Sequence, residues 1–401
     1  MGRLILSETT RSDMQRASWI RKMFTRAGEL KREKGAHNVF DYSLGNPGIE
    51  PPSIALKRLQ DLVASPTAGM HGYMPNAGFE SVRAKVAEHV SRSQQLEEGT
   101  LTANHIVMTV GAAGALSIIL EIVLDLGDEV IVPTPYFGEY NFYISRHRGN
   151  LVPVPTRNDF QLDLDQIEAK ITQRTKVILI NNPNNPTGAV YSDESLRQLA
   201  EIITKKEKEY GHDILLVTDE PYAGLVYDGA VVPPVLNIFP HSFLATSHSK
   251  DLGLPGERIG YFAINPSLND SKGVLEAAEF ASRALGFVNA PALMQMLVAD
   301  LQGLTGGLAE YQARRDLLYA ALIDYGYAVV KPQGTFYVFP KSPIPDDVAF
   351  VEAALAHNLL FVPGKGFGSP GYFRISYSNI SLDHIAKSLP FLKKLAEQFG
   401  L

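Results

Sequence analysis

Between residues 106 and 263 short apolar runs alternate with longer amphipathic stretches, and that alternation leaves few folds open. Strand-like runs fall at 106–110, 129–132, 151–155, 176–180, 214–218, 242–245 and 258–263. Helical patterns fill 113–126 and 192–210. The second is opened by Ser192, with Asp193 and Glu194 in its first turn. A hydroxyl there caps free N–H groups, and the acids meet the positive end of the helix dipole. Several of the strand runs are apolar on successive residues, as strands buried on both faces are. The pattern predicts a mostly parallel α/β sheet between helices, with functional residues in loops at strand ends.

Beyond Arg283 the pattern changes. Helices are predicted over 291–302, 308–325 and 347–358, with a last one from Ser381. Strands are predicted over 328–331 and 335–339, adjacent and antiparallel around Pro332-Gln333-Gly334, and over 360–362 and 372–377. These make a smaller α+β unit. At the other end Ala17, Ile20, Phe24, Ala27 and Leu30 recur at helical spacing, with Arg and Lys between them. The expectation is an amphipathic lead-in helix that packs on its own protein or on a partner subunit.

Composition removes several classes of function. The net charge of −6 argues against nucleic acid as the main partner. The chain has 0 cysteines, so it has no disulfide framework, no thiolate nucleophile and no Cys-based metal site; no metal is expected. No apolar run approaches a membrane span, and residues 1–35 lack the apolar core and cleavage site of a secretory signal. A cytoplasmic location is expected.

The chemistry concentrates at strand ends. Lys250 stands in Ser247-His248-Ser249-Lys250-Asp251-Leu252-Gly253, a turn after one predicted strand, and Arg258 follows eight residues later. A lysine held out of bulk water near another cation loses its proton more easily and attacks carbonyls. Gly111-Ala112-Ala113-Gly114 follows a strand and opens a helix, where backbone N–H groups and the dipole suit a phosphate. Taken alone, that turn is more often tight packing. It carries neither a dinucleotide fingerprint nor a Walker-type lysine. Asp219 ends a strand in Asp219-Glu220-Pro221-Tyr222; Asn182-Pro183-Asn184-Asn185-Pro186-Thr187-Gly188 is a turn stiffened by two prolines; Arg374 sits in the strand of Gly371-Tyr372-Phe373-Arg374.

In this order, from about Tyr42 to Ser378, these motifs resemble those of class I/II aminotransferases, which are fold-type I enzymes dependent on pyridoxal 5′-phosphate. The resemblance implies an α/β fold: a large cofactor-binding domain over 49–290, with a mostly parallel sheet between helices, and a small α+β domain over 291–401. Residues 1–48 would be an N-terminal arm and part of the small domain.

It also implies roles. Lys250 would hold the cofactor as a Schiff base and move the proton during catalysis. Gly111, Ala112, Ala113, Ser247 and Arg258 would hold its phosphate, joined by Tyr73 reaching across a homodimer. Many relatives have hydroxyls where this chain has Ala112 and Ala113, so backbone donors must do more of the work. Asp219 would pair with the pyridine nitrogen, Tyr222 and Asn185 would bond the phenolic oxygen, and Phe137 and Pro221 would cover the two ring faces. Arg374 would clamp the substrate α-carboxylate beside Gly45 and Asn185.

Arg283 falls one or two residues out of register with an arginine that binds the distal carboxylate in an aspartate-specific subgroup. The expectation is transfer of an amino group from an L-amino acid to a 2-oxo acid, with aspartate and 2-oxoglutarate first. The alternatives are an aromatic or broad-range donor pocket around Tyr136 and Phe287, or a β-lyase on the same scaffold.

Overall fold

The computed structural model describes residues 5–16, 19–66 and 68–401. Its centre is a seven-stranded sheet of β1 (Ile106–Thr109), β2 (Glu129–Thr134), β3 (Asn150–Pro155), β4 (Thr175–Asn181), β5 (Leu215–Asp219), β6 (Ser242–Ser247) and β7 (Gly260–Ile264). Their order across the sheet is β1-β7-β6-β5-β4-β2-β3. β2 to β6 are parallel, and β7 runs antiparallel to both β6 and β1.

Both faces are covered, as the continuous apolar runs require. Val177 and Leu179 pack with the helices Ala112–Val123, Tyr140–Arg146 and Ser271–Ala284. Their neighbours Ile178 and Ile180 face the other way, toward the helices Leu164–Lys170 and Asp193–Tyr210. The side-chain period of two in a strand sets that division. Ser192 caps its helix as expected, accepting from the Ser195 N–H at 3.1 Å.

The C-terminal part differs from expectation in its strands. Residues 328–331 are not a strand. The stretch predicted as 335–339 is extended only at Tyr337–Val338, which pairs antiparallel with Phe373–Ser376. The physical reason is competition for the backbone. Pro332 has no N–H to give. The N–H groups of Gln333 and Gly334 donate to the Gly188 carbonyl, and that of Thr335 donates to Leu225. The predicted strand 360–362 is split: Leu359–Leu360 pairs parallel with Phe40–Asp41, and Val362–Pro363 pairs antiparallel with 373–374. The first pairing ties the N-terminal segment to the C-terminal part.

The lead-in helix forms over Trp19–Lys34, and Ala27 and Leu30 are buried in the core of the C-terminal part. Ala17 lies outside the described residues, as do the side chains of Ile20 and Phe24. Among the described residues no helix is long and apolar enough to cross a membrane.

Candidate active site

The parallel strands end on one side of the sheet, and their last residues or the turns just after them supply the chemistry. Asn181, Asp219 and Ser247 are the final residues of β4, β5 and β6. Sheet register sets Asn181 beside Asp219 and Asp219 beside Ala245. Above them lies a cavity of about 390 Å³, lined by Gly45, Ala112, Ala113, Phe137, Asn185, Asp219, Pro221, Tyr222, Ser247, Lys250, Arg258 and Arg374 among others. Residues 45 and 374 come from segments outside the central sheet, so the cavity sits where the two parts of the chain meet.

At one end is the N-terminus of the helix Ala112–Val123. Gly111 precedes it at φ 83°, and a Cβ there would come 2.9 Å from Nη2 of Arg258. Glycine therefore lets the guanidinium lie against the helix start. Arg258 is held by donating to the carbonyls of Pro255 (2.8 Å) and Val110 (3.2 Å). A guanidinium, the Ser247 side chain and free helix N–H groups in one place make an anion site.

In the middle, Asp219 is buried. Tyr140 donates to its Oδ2 at 2.5 Å, and Asn181 Nδ2 donates to its carbonyl oxygen at 2.8 Å. Its Oδ1 has no partner. Burial pushes this carboxyl up to about 7, and the Tyr140 hydrogen bond offsets part of that. A buried carboxylate oxygen without a partner favours a cationic N–H donor beside it.

Lys250 donates from Nζ to the Gly45 carbonyl at 2.7 Å. Burial, then the nearby charges of Arg374 and Arg258, bring its amine down to about 8. The amine thus gives up its proton more readily than an ordinary lysine.

Arg374 is fully buried. Nη1 donates to Asn185 Oδ1 at 3.1 Å and Nη2 to the Ser43 carbonyl at 2.7 Å, while Nε has no partner. Its guanidinium carbon lies 4.4 Å from the Tyr337 ring centroid and 4.8 Å from that of Phe367. Burial lowers its pKa from the usual arginine value, which leaves it a cation that gains from an anionic partner.

Three of the expected site residues do not line this cavity: Gly111, which stands just behind Ala112, and Tyr73 and Arg283. Tyr73 is 98% exposed. Arg283 donates from Nη1 to Asn76 Oδ1 at 2.8 Å, because the helix Ser271–Ala284 ends against the segment that carries Tyr73. Tyr136 is buried with its hydroxyl on Asn141, and neither it nor Phe287 lines the cavity. Sequence reasoning missed Tyr140, Asn181 and Tyr337. Asn181 had a signal, since a polar residue at the end of an apolar strand run is the pattern that singled out Asp219. Tyr337 and Tyr140 had none, because their partners are 115 and 79 residues away.

Residues 37–389 match the family "Aminotransferase class I and II". An aminotransferase from Eubacterium rectale of known structure superposes with a TM-score of 0.95 at 37% identity, covering 99% of this chain and 100% of its own. A probable aspartate/prephenate aminotransferase of Thermus aquaticus is 34% identical, over 94% of each chain. An aspartate aminotransferase of Bacillus subtilis is 31% identical, over 93% of this chain and 94% of its own. The chain belongs to the class I and II aminotransferases. It is an aminotransferase dependent on pyridoxal 5′-phosphate, acting on an amino acid and a 2-oxo acid.

Proposed function

We propose that the chain moves the amino group of aspartate to 2-oxoglutarate, in a cavity whose own residues hold the cofactor. One observation carries the reading. A lysine amine, a buried carboxylate with an unpartnered oxygen, a guanidinium at a helix N-terminus and a second guanidinium with an unpartnered Nε converge in one cavity. Each matches a separate part of the cofactor or substrate.

In this reading Arg258, Ser247 and the N–H groups of Ala112 and Ala113, after Gly111, bind the phosphate. Asp219 Oδ1 meets the protonated ring nitrogen, and Tyr140 and Asn181 hold that carboxylate in place. Tyr222 and Asn185 donate toward the phenolic oxygen, and Phe137 and Pro221 cover the ring. Bound there, the cofactor supplies an aldehyde that condenses with amines and a ring that draws electron density from Cα. Arg374 takes the α-carboxylate in a two-pronged contact and so orients the amino acid beside Gly45. The Lys250 amine then accepts the Cα proton and returns it on the other side of the transfer.

The two relatives named for aspartate support that donor. A second reading, an aromatic or broad-range donor, draws on Phe137, Tyr143 and Tyr337 in the cavity lining and on Arg283 standing outside it. Rates for a panel of amino donors, with 2-oxoglutarate as acceptor, separate the two. Aspartate ahead of alanine and phenylalanine by about tenfold or more in kcat/KM supports the first. A flat or reversed ranking overturns it.

The homodimer belongs to the same proposal. Tyr73 and Arg283 share one edge, joined through Asn76, and neither enters the cavity of its own chain. A twofold partner would receive both. We read 49–290 as the cofactor-binding domain, with 291–401 and much of 1–48 as the smaller one, supported by the Phe40–Leu359 pairing. A cytoplasmic location fits a chain with 0 cysteines. Recovery in an extracytoplasmic fraction would count against it.

A further inference from the structure

His248 sits two residues before Lys250, is buried at 3% exposure, and has no place in the chemistry above. It does not line the cavity. Its ring is held at both nitrogens. Nδ1 lies 3.0 Å from Asp251 Oδ2, and Nε2 lies 3.1 Å from Gln302 Nε2. The Gln302 amide is oriented by its own second contact, since the same nitrogen donates to the Val298 carbonyl at 2.9 Å. Gln302 is therefore the donor and His248 Nε2 the acceptor. That leaves Nδ1 as the donor, directed at Asp251.

Asp251 passes the constraint on. Its Oδ1 accepts from the Leu252 N–H at 2.7 Å, and its carbonyl accepts from Gly306 at 2.7 Å. The backbone of His248 closes the same turn: its N–H donates to Ile259, and its carbonyl accepts from Leu254. His89 and Tyr261 are the other titratable groups facing the ring. The turn that presents Lys250 is thus fastened from behind, on the side away from the cavity.

We propose that His248 is a positioning residue for Lys250, acting through a hydrogen-bonded chain from the Val298 carbonyl through Gln302 and His248 to Asp251. This rests on Lys250 being the lysine that carries the cofactor. The chain holds the amine near Arg374 and Arg258, whose charges disfavour its protonation. Loosening it lets the amine move away from them. The proton that titrates at the lysine–cofactor linkage is then held more tightly.

The test uses intact holoenzymes of the parent, His248→Leu, His248→Asn and Gln302→Met. The readouts are the pH titration of the resting enzyme's visible absorbance, kcat and Tm. His248→Leu removes both ring contacts. Its titration midpoint is expected to rise by about half a pH unit or more, and its kcat to fall by about tenfold or more. His248→Asn keeps a donor at the Nδ1 position and recovers most of both changes. Gln302→Met removes only the contact that sets the tautomer and gives a smaller upward shift. It also serves if His248→Leu does not fold. A midpoint that stays or falls in these variants, with Tm alone reduced, overturns the proposal. Failure of the Lys250 reading looks different: the parent's visible band would persist in Lys250→Ala.

Discussion

The hydroxyls of Tyr222 and Tyr337 lie 3.0 Å apart, although 115 residues separate them. Their rings meet edge to face at 5.8 Å, and the second ring also supports Arg374. Gly45 completes the arrangement, because a Cβ at that position would collide with the Tyr337 hydroxyl. Tyr337 thus touches both the proposed ring-oxygen ligand and the proposed carboxylate clamp. Removing the ring should cost a buried cation–π contact of about 0.5–2 kcal/mol. Tyr337→Leu is expected to raise KM for every amino donor by about 2- to 30-fold. Tyr337→Phe keeps the ring, so its KM should stay near the parent's while the absorbance titration of the resting enzyme moves. Equal KM effects in the two variants would refute this division of labour.

Lys250→Ala should still bind the cofactor through the anion site and Asp219, without the covalent link and its visible band. Transamination should collapse, and near-normal turnover would sink the assignment. Asp219→Ala should weaken cofactor binding and slow the proton transfer. Equilibrium dialysis of cofactor against both variants distinguishes these effects. If Asp219→Ala binds and turns over like the parent, the ring assignment is wrong.

What could be read from the chain followed a physical rule. Asp219 stands out because it ends a continuous apolar run, and Asn185 and Lys250 because they lie in the turns just after two other such runs. In a parallel sheet, that is where side chains escape burial and meet ligands. Tyr337 did not stand out, since an aromatic inside a strand reads as core and its function comes from partners brought in by tertiary folding. The misread strand at 328–331 has the same origin. Its apolar residues suit a hairpin, but the backbone beyond Pro332 is bonded to Gly188 and Leu225 instead.

Glu220, next to Asp219, is buried, and Thr218 Oγ1 donates to its Oε1 at 2.9 Å. Burial, with the neighbouring Asp219 charge adding to it, raises its carboxyl to about 8. The folded protein therefore holds this proton over a range in which the unfolded chain has lost it. Stability from this group is complete below the unfolded value near 4.5 and is lost as pH rises toward 8. Glu220→Gln stays neutral throughout. It should be more stable than the parent at pH 8 by about 2–4 kcal/mol, and no more stable at pH 4. Denaturant melts at the two pH values check this. An equal difference at both would show that the carboxyl does not titrate as described.

Tyr73 tests the assembly. If it completes the partner's phosphate site, Lys250→Ala and Tyr73→Ala chains should complement each other. Each heterodimer would then carry one intact site. Random mixing makes half the dimers mixed, so activity should recover to about a quarter of the parent's. Sedimentation must show a dimer; a fully active monomer rules the idea out.

Arg283 is the sharpest test of substrate class. It is too exposed and too far along the edge to read a distal carboxylate in its own cavity, where the lysine and two arginines already have other work. It can do so only from a second copy, entering with Tyr73. A charge-assisted contact of that kind is worth about 1.5–3 kcal/mol. Arg283→Ala should then lower kcat/KM for aspartate and glutamate by about 10- to 100-fold, and leave alanine and phenylalanine nearly unchanged. Arg374→Ala should harm all four donors alike, because every amino acid presents the same α-carboxylate. The contrast between the two variants is the measurement. A uniform loss in Arg283→Ala would make its bond to Asn76 a structural brace for the Tyr73 segment. No loss at all would leave dicarboxylate recognition without a cation, and the aromatic lining of Phe137, Tyr143 and Tyr337 would then define the donor pocket.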